Sequence, residues 1–210
     1  RRVSKAGEVS TLAGGGEDGE EGFADGQGTA ARCKEPSGVV LAANGEFIVS
    51  CDHAIRVVTP GGAVRTLAGR GEEGFADGQG AAARFNDPRG LALDADGSVL
   101  VADFGNHAVR RVTMAGAVST VAGNGEEGFA DGEGAAARFH GPQDVVVDKE
   151  GTMVVADTDN QRLRKIRGRQ VTTLAGGSEA GAADGAGAAA RFKQPVLLAL
   201  DERGRLLVAE

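Results

Sequence analysis

Several kinds of side chain in this sequence could do chemistry, and most of them recur at a nearly constant interval. Acidic doublets stand at Glu20-Glu21, Glu72-Glu73 and Glu126-Glu127. Such carboxylates gather cations or a basic partner surface. Their spacing does not match a calcium loop, and doublets alone supply too few convergent oxygens for that ion. A solvated acidic rim is the plainer expectation. Three histidines, His53, His107 and His140, could in principle ligate zinc. Zinc requires ligands about 2 Å from one point, whereas His53 and His107 fall in corresponding turns of successive repeats, so no zinc site is expected. Arginines recur at Arg32, Arg84, Arg138 and Arg191. Because the position repeats, a local partner is expected, either an aspartate or a carbonyl of the same loop. The two cysteines, Cys33 and Cys51, make neither a disulfide framework nor a metal motif. Cys51 stands where other repeats carry aspartate, and it reads as a small, half-buried thiol. The sequence contains no Ser-His-Asp arrangement, nucleophile elbow or phosphate-binding loop.

The elements that must hold these residues follow from an internal repeat. Thr11-Leu12-Ala13-Gly14 returns at Thr66, Thr120 and Thr173, at intervals of 55, 54 and 53 residues. Asp-Gly pairs at Asp25, Asp77, Asp131 and Asp184 keep step, as do Pro36, Pro88, Pro142 and Pro195. A fixed period in this range marks a propeller, a solenoid or an array of small units. Within the second copy, Gly90–Asp94 is a short apolar run, and Asp96-Gly97 is a hairpin signal. Ser98–Asp103, Ala108–Thr113 and Ala117–Ala122 complete four strands separated by turn residues. Four antiparallel strands per repeat make one propeller blade. A longer connection from Gly123 to Pro142 carries three alanines, which predict one short helical turn with Asp131 placed to cap it. Phe129 and Phe139 are apolar enough to pin that loop to the blade.

Together these phrases resemble the NHL repeat family of β-propellers. The resemblance rests on Pro88-x-Gly90, Asp94 to Gly97, Val101-Ala102-Asp103 and Asn106-His107-Ala108-Val109-Arg110. It recurs in Pro142, Asp148 to Gly151, Val155-Ala156-Asp157 and Asn160 to Arg164. The Thr-Leu-Ala-Gly phrase and the Asp-Gly loop look like a long-loop variety of these repeats. The first copy departs from the pattern, with Ala42, Cys51 and Cys33 in place of two aspartates and a phenylalanine. The later copies put Asp144 and Leu197 where a glycine is expected. The resemblance implies an all-β propeller of four-stranded antiparallel blades, of which this chain holds material for about four, as an arc of a six-bladed ring. The expected divisions are a half blade at 1–14, blades at 39–69, 91–123 and 145–176, and a half blade at 196–210. A second possibility is that the two half blades pair and close a four-bladed ring. The missing initial Met and the ends inside repeats suggest a fragment of a longer protein.

Composition narrows the function. Hydrophobic residues make up 41% of the chain, enough for a core, and the 35 glycines cluster at repeated turns. A net charge of −7 disfavours nucleic acid. No apolar run reaches membrane-spanning length. Because strands alternate in direction, the long loops and the turns between second and third strands share one face. That face carries Glu20, Glu21, Glu72, Glu73, Glu126 and Glu127, together with Asp103, His107, Asp157 and Asn160. Loops on a rigid scaffold commonly carry recognition. The expected function is therefore a non-catalytic interaction scaffold that binds a protein partner or a neighbouring domain of the same chain through this acidic face. No catalytic, cofactor-binding or metal-binding residue is expected, and neither nucleic-acid binding nor membrane insertion. The alternative is a metal-dependent lyase or hydrolase acting at the channel mouth.

Overall fold

Short β-branched runs bounded by glycine turns pair with their neighbours in sequence, and the result is a row of separate antiparallel sheets. The computed structural model describes residues 1–15 and 22–210. Among these residues there are three five-stranded sheets flanked by two two-stranded sheets. The first full blade runs from Val39 to Gly69, the second from Pro88 to Ala122 and the third from Pro142 to Ala175. Each is an up-and-down meander of four consecutive strands. Arg2–Val3 pairs with Val9–Ser10 at the start, and Leu197–Leu200 pairs with Leu206–Ala209 at the end. These half blades are not paired with one another, so the chain forms an open arc.

The fifth strand of each sheet is a feature that four-stranded blades do not predict. Gly26–Gln27, Gly78–Gln79 and Gly132–Glu133 come from the long loops and pair with the outermost strands. The Asp-Gly phrase thus covers the free outer edge of each blade, which would otherwise offer unpaired backbone groups to another chain. The alanines that follow do form a short turn. It is a 3-10 turn at Gly28–Ala30, Gly80–Ala82, Gly134–Ala136 and Gly187–Ala189, with no side-chain cap. Asp131 is therefore not the cap that the alanine run suggested. Its carboxylate is directed elsewhere, as described below.

The core lies between blades. Ile48, Ile55 and Val57 of the first blade pack with Phe85, Leu91, Val99 and Val101 of the second. Leu100, Val109 and Val121 of the second blade pack with Phe139, Val145, Val155 and Ile166 of the third. Ala156 and Leu163 continue this packing to Leu198 of the last half blade. Each sheet therefore buries its apolar faces against its neighbours, as expected when a single repeat cannot bury its own. Polar links between inner strands add register. Ser50 Oγ donates to Arg89 O (2.6 Å), Thr158 Oγ1 donates to Pro195 O (2.6 Å), and Asp144 accepts from Leu198 N (2.8 Å). Asp144 fits because its neighbour is Gly90, where a Cβ would lie 2.1 Å from the Asp144 Oδ1 atom.

Candidate functional site

The long loops are held by a device built around a fully buried arginine on the third strand of each blade: Arg56, Arg110 and Arg164. Each of these arginines sits where the pairing between third and fourth strands slips by one residue. Such a slip re-aims the side chain. In the second blade Arg110 Nη1 donates to Asp103 Oδ2 (2.7 Å) and Arg84 O (3.0 Å). Its Nη2 donates to Ala76 O and Asp77 Oδ1, both at 2.8 Å. Asp103 also accepts from Asn86 N and from Asn106 Nδ2, and Asn106 donates onward to Gly74 O. Phe75 and Phe85 lie over the guanidinium at 4.8 and 5.2 Å. The third blade repeats the arrangement with Arg164, Asp157, Asp131, Asn160, Phe129 and Phe139. One arginine thus gathers carbonyls and a carboxylate from a loop more than 20 residues away, and charge-assisted hydrogen bonds of this kind are the strong ones.

The repeated loop aspartates complete the device. Asp77 accepts from Thr120 N (3.0 Å) and Thr120 Oγ1 (2.9 Å), the threonine that opens the Thr-Val-Ala-Gly phrase. Asp25 makes the same bonds with Thr66, and Asp131 with Thr173. Partial burial opposes the charge of Asp77, but the bonds from Arg110 and Thr120 outweigh it and hold the carboxyl below its usual range. Asp103 is affected in the opposite direction. Complete burial pushes it up to about 6, against the pull of Arg110 and Asn106.

This geometry sorts the residues singled out from the sequence. Asp103 and Asp157 are not on the surface of the loop-rich face. They are fully buried beneath it, because each neutralises a buried arginine. Asn160 is likewise committed to Asp157 and to Gly128 O. Glu72, Glu73, Glu126 and Glu127 are exposed. Glu72 pairs with Arg70, Glu126 with Arg138 at 2.6 Å, and Glu127 lies 3.4 Å from His140. Glu20 and Glu21 lie outside the described residues. Phe75 and Phe129, next to the doublets, remain 41% and 46% exposed. Of the four loop arginines, Arg32 donates to Thr29 O and Arg84 to Ala81 O and Ala83 O, whereas Arg138 and Arg191 pair with Glu126 and Glu179 rather than with the aspartate or carbonyl expected. The third-strand arginines were the functional signal least visible in the sequence. The recurrence of arginine two residues after Ala54, Ala108 and Arg162 is the pattern that would have revealed them.

The histidines hold neighbouring blades together. His53 Nδ1 accepts from Asp87 N (3.0 Å) and His107 Nδ1 from Gly141 N (3.1 Å). In the third blade Gln161 Oε1 accepts from Gln194 N (2.6 Å). All three residues are in the left-handed region, with φ of 56°, 49° and 56°. These contacts place the turns between second and third strands beside the long loops of the next blade, on one face. Among the described residues, the grouping of ligand atoms tight enough for a metal ion is Cys33, Cys51 and Asp52, and its two sulfurs are bonded to each other.

A pH dependence follows from the histidine latch. Burial, and then the neighbouring His140, push His107 below its ordinary value, while Glu127 and Asp159 pull the other way. The unfolded chain therefore binds more protons just below the ordinary histidine pKa of about 6.5. The latch contribution is present above that value and lost as pH falls. Melting temperature measured from about pH 7.5 down to about 5.5 is expected to fall more in the native protein than in His107→Gln. That substitution copies the Gln161 latch without a titrating group. Equal slopes would remove His107 from the pH dependence.

Comparison with known proteins places these repeats. Residues 85–112 and 139–166 match the NHL repeat. The chain is 27% identical to Protein SUPPRESSOR OF QUENCHING 1, chloroplastic, of Arabidopsis thaliana, over 96% of this chain and 21% of that protein. It is 36% identical to NHL repeat-containing protein 2 of Bos taurus, over 50% of this chain and 15% of that protein. The matched stretches thus span about a fifth or less of these relatives. Among solved structures, an auxiliary nutrient binding protein from Bacteroides ovatus superposes with a TM-score of 0.65 at 23% identity, over 86% of this chain and 46% of that one. A gluconolactonase from Xanthomonas campestris gives 0.60 at 15% identity, over 85% and 55%. At these identities the superpositions speak for the fold alone.

Proposed function

We propose that this chain, an all-β propeller arc carrying NHL repeats of the long-loop Thr-Leu-Ala-Gly variety, is a non-catalytic interaction scaffold. It meets a protein partner, or a neighbouring domain of the same chain, through its loop-rich face. The observation that carries this reading is the repeated pairing of an exposed acidic doublet with a half-exposed phenylalanine on a loop fixed from beneath. Glu72-Glu73 stands beside Phe75, and Glu126-Glu127 beside Phe129. Each loop is anchored to its blade by a buried arginine. Rigid loops that present aromatic anchors lose little entropy on binding. Aromatic residues are enriched at interface centres, and carboxylates at the rim steer a basic partner.

The test is capture of the partner from an extract of the source cells by immobilised protein, quantified by mass spectrometry at two salt concentrations. Glu72→Gln, Glu73→Gln, Glu126→Gln and Glu127→Gln together are expected to lower capture roughly tenfold and to flatten its salt dependence. Undiminished capture by the quadruple variant rejects the acidic face. Stoichiometric zinc or calcium in the purified protein would instead favour a metal-dependent lyase or hydrolase at the channel mouth.

A further inference from the structure

The first full blade differs from the other two at both ends of the same interaction. In the second and third blades a phenylalanine of the loop, Phe85 or Phe139, covers the buried arginine at 5.2 Å. An aspartate at the end of the second strand, Asp103 or Asp157, binds it at 2.7 Å. In the first blade the loop position is Cys33 and the strand position is Cys51. The pairing register has not moved. Cys51 faces Ala54 as Asp103 faces Ala108, and the arginine stands two residues further on in each case. The two cysteines are joined, with Cα atoms 5.9 Å apart. The pair is therefore bonded where the sequence predicted no disulfide, and Cys51 is a fully buried half of it rather than a half-buried thiol. Their spacing of 18 residues is bridged because loop and strand end meet at the arginine.

Arg56 keeps the remaining contacts of the device. It is fully buried, donates to Arg32 O, Ala24 O and Asp25 Oδ1, and has Phe23 at 4.4 Å. Asp52, one residue along, accepts the Lys34 N–H, as Asp103 accepts that of Asn86. What has changed lies at the arginine itself: the strand-end carboxylate that paired with it and the phenylalanine that covered it are replaced by a covalent bridge between loop and strand end. An ionic bridge is indifferent to redox conditions, whereas a disulfide responds to them.

We propose that Cys33–Cys51 is a site of thiol–disulfide exchange, with a dithiol as its reactant, and that it sets whether the 22–36 loop is fastened to the first blade. A thiolate of the dithiol attacks Sγ of Cys33, the more exposed of the two residues. The Cys33–Cys51 bond breaks, and Cys51 leaves as a thiolate that takes a proton from water. The second thiol of the reactant, deprotonated, then attacks its partner sulfur in the mixed disulfide and releases Cys33, which is protonated in turn. Two electrons and two protons pass to the cysteine pair, and the dithiol becomes a cyclic disulfide. Reduction leaves Arg56 buried with no covalent tie between loop and strand end beside it, so the loop is held by non-covalent contacts such as those of Asp25, its carbonyls and the Lys34 N–H on Asp52. A reversible thiol–disulfide change of this kind can bias a two-state segment.

The experiment combines mass-spectrometric thiol counting with limited trypsin digestion, using dithiothreitol as the dithiol. The oxidised chain is expected to show no free thiol and slow cleavage after Arg32 and Lys34. Reduction is expected to expose two thiols and speed that cleavage about tenfold. Cys33→Ser with Cys51→Ser should be cleaved fast under both conditions. Cys33→Phe with Cys51→Asp, which restores the residues of the other blades, should be cleaved slowly under both. Equal cleavage of oxidised and reduced native protein overturns the proposal, as does a thiol pair that a mild oxidant cannot join.

Discussion

Asp103→Ala is expected to cost about 3–5 kcal/mol of unfolding free energy at neutral pH, because it leaves a buried guanidinium without its carboxylate. Arg110 has no solvent to turn to, since its side chain is fully buried. Asp103→Asn keeps the size and an acceptor, and should cost about 1–2 kcal/mol less than alanine. Denaturant unfolding followed by circular dichroism measures both. The loss should also depend on pH in a specific direction. Burial raises the native Asp103 pKa to about 6. Because this folded value exceeds the unfolded one, the native state binds the extra proton, and this group favours folding less as pH rises through that range. That contribution is fully present below the ordinary aspartate pKa of about 3.9 and lost as pH rises through about 6, so the gap between Asp103→Ala and the native protein should widen on acidification. A gap that narrows on acidification would mean that the buried Asp103 carboxyl is not the group that titrates.

Phe139→Ala is expected to be comparably damaging, at about 3–5 kcal/mol, because it removes a large, fully enclosed side chain. Phe139 contributes to the core between the second and third blades, and it also covers Arg164. Its companion Phe129 lies over the same guanidinium at 4.8 Å but is 46% exposed. Phe129→Ala should therefore lose only its cation–π contacts with Arg164 and Arg162 and part of the burial, about 0.5–2 kcal/mol. Measuring the two variants side by side separates core packing from arginine stacking. Equal losses would mean that stacking, and not enclosure, governs this loop. The same contrast bears on the proposed binding: Phe129 is the exposed ring that the proposed partner would meet, and its truncation should leave the fold largely intact.

These two cases show where local pattern stops being informative. Asp103 and Glu73 are both acidic residues that topology assigns to the loop-rich face, and no sequence feature distinguishes the buried one from the exposed one. The difference arises because Arg110 approaches Asp103 from the facing strand, and the loop carrying Ala76 and Asp77 closes over both. Likewise, Asp131 next to an alanine run resembles a helix cap. Its partners Arg164 and Thr173 are 33 and 42 residues away. The cysteines are a third instance: two thiols 18 residues apart carry no pairing signal until the loop folds back onto the strand end.

What the chain alone determined is its repeat, its strands and turns, and the stacking of one blade on the next. These follow from the alternation of β-branched runs with glycine turns, which acts within about ten residues, and from the period that copies it. Only the tertiary structure decided which polar residues lie inside. It placed Arg56, Arg110 and Arg164 in the core, added a fifth strand to each blade, assigned the histidines to the joints between blades, and joined Cys33 to Cys51. The physical reason is the same in each case. A buried charge or a covalent bridge is acceptable only where its partners converge, and here they converge from loops and strands that the sequence keeps far apart.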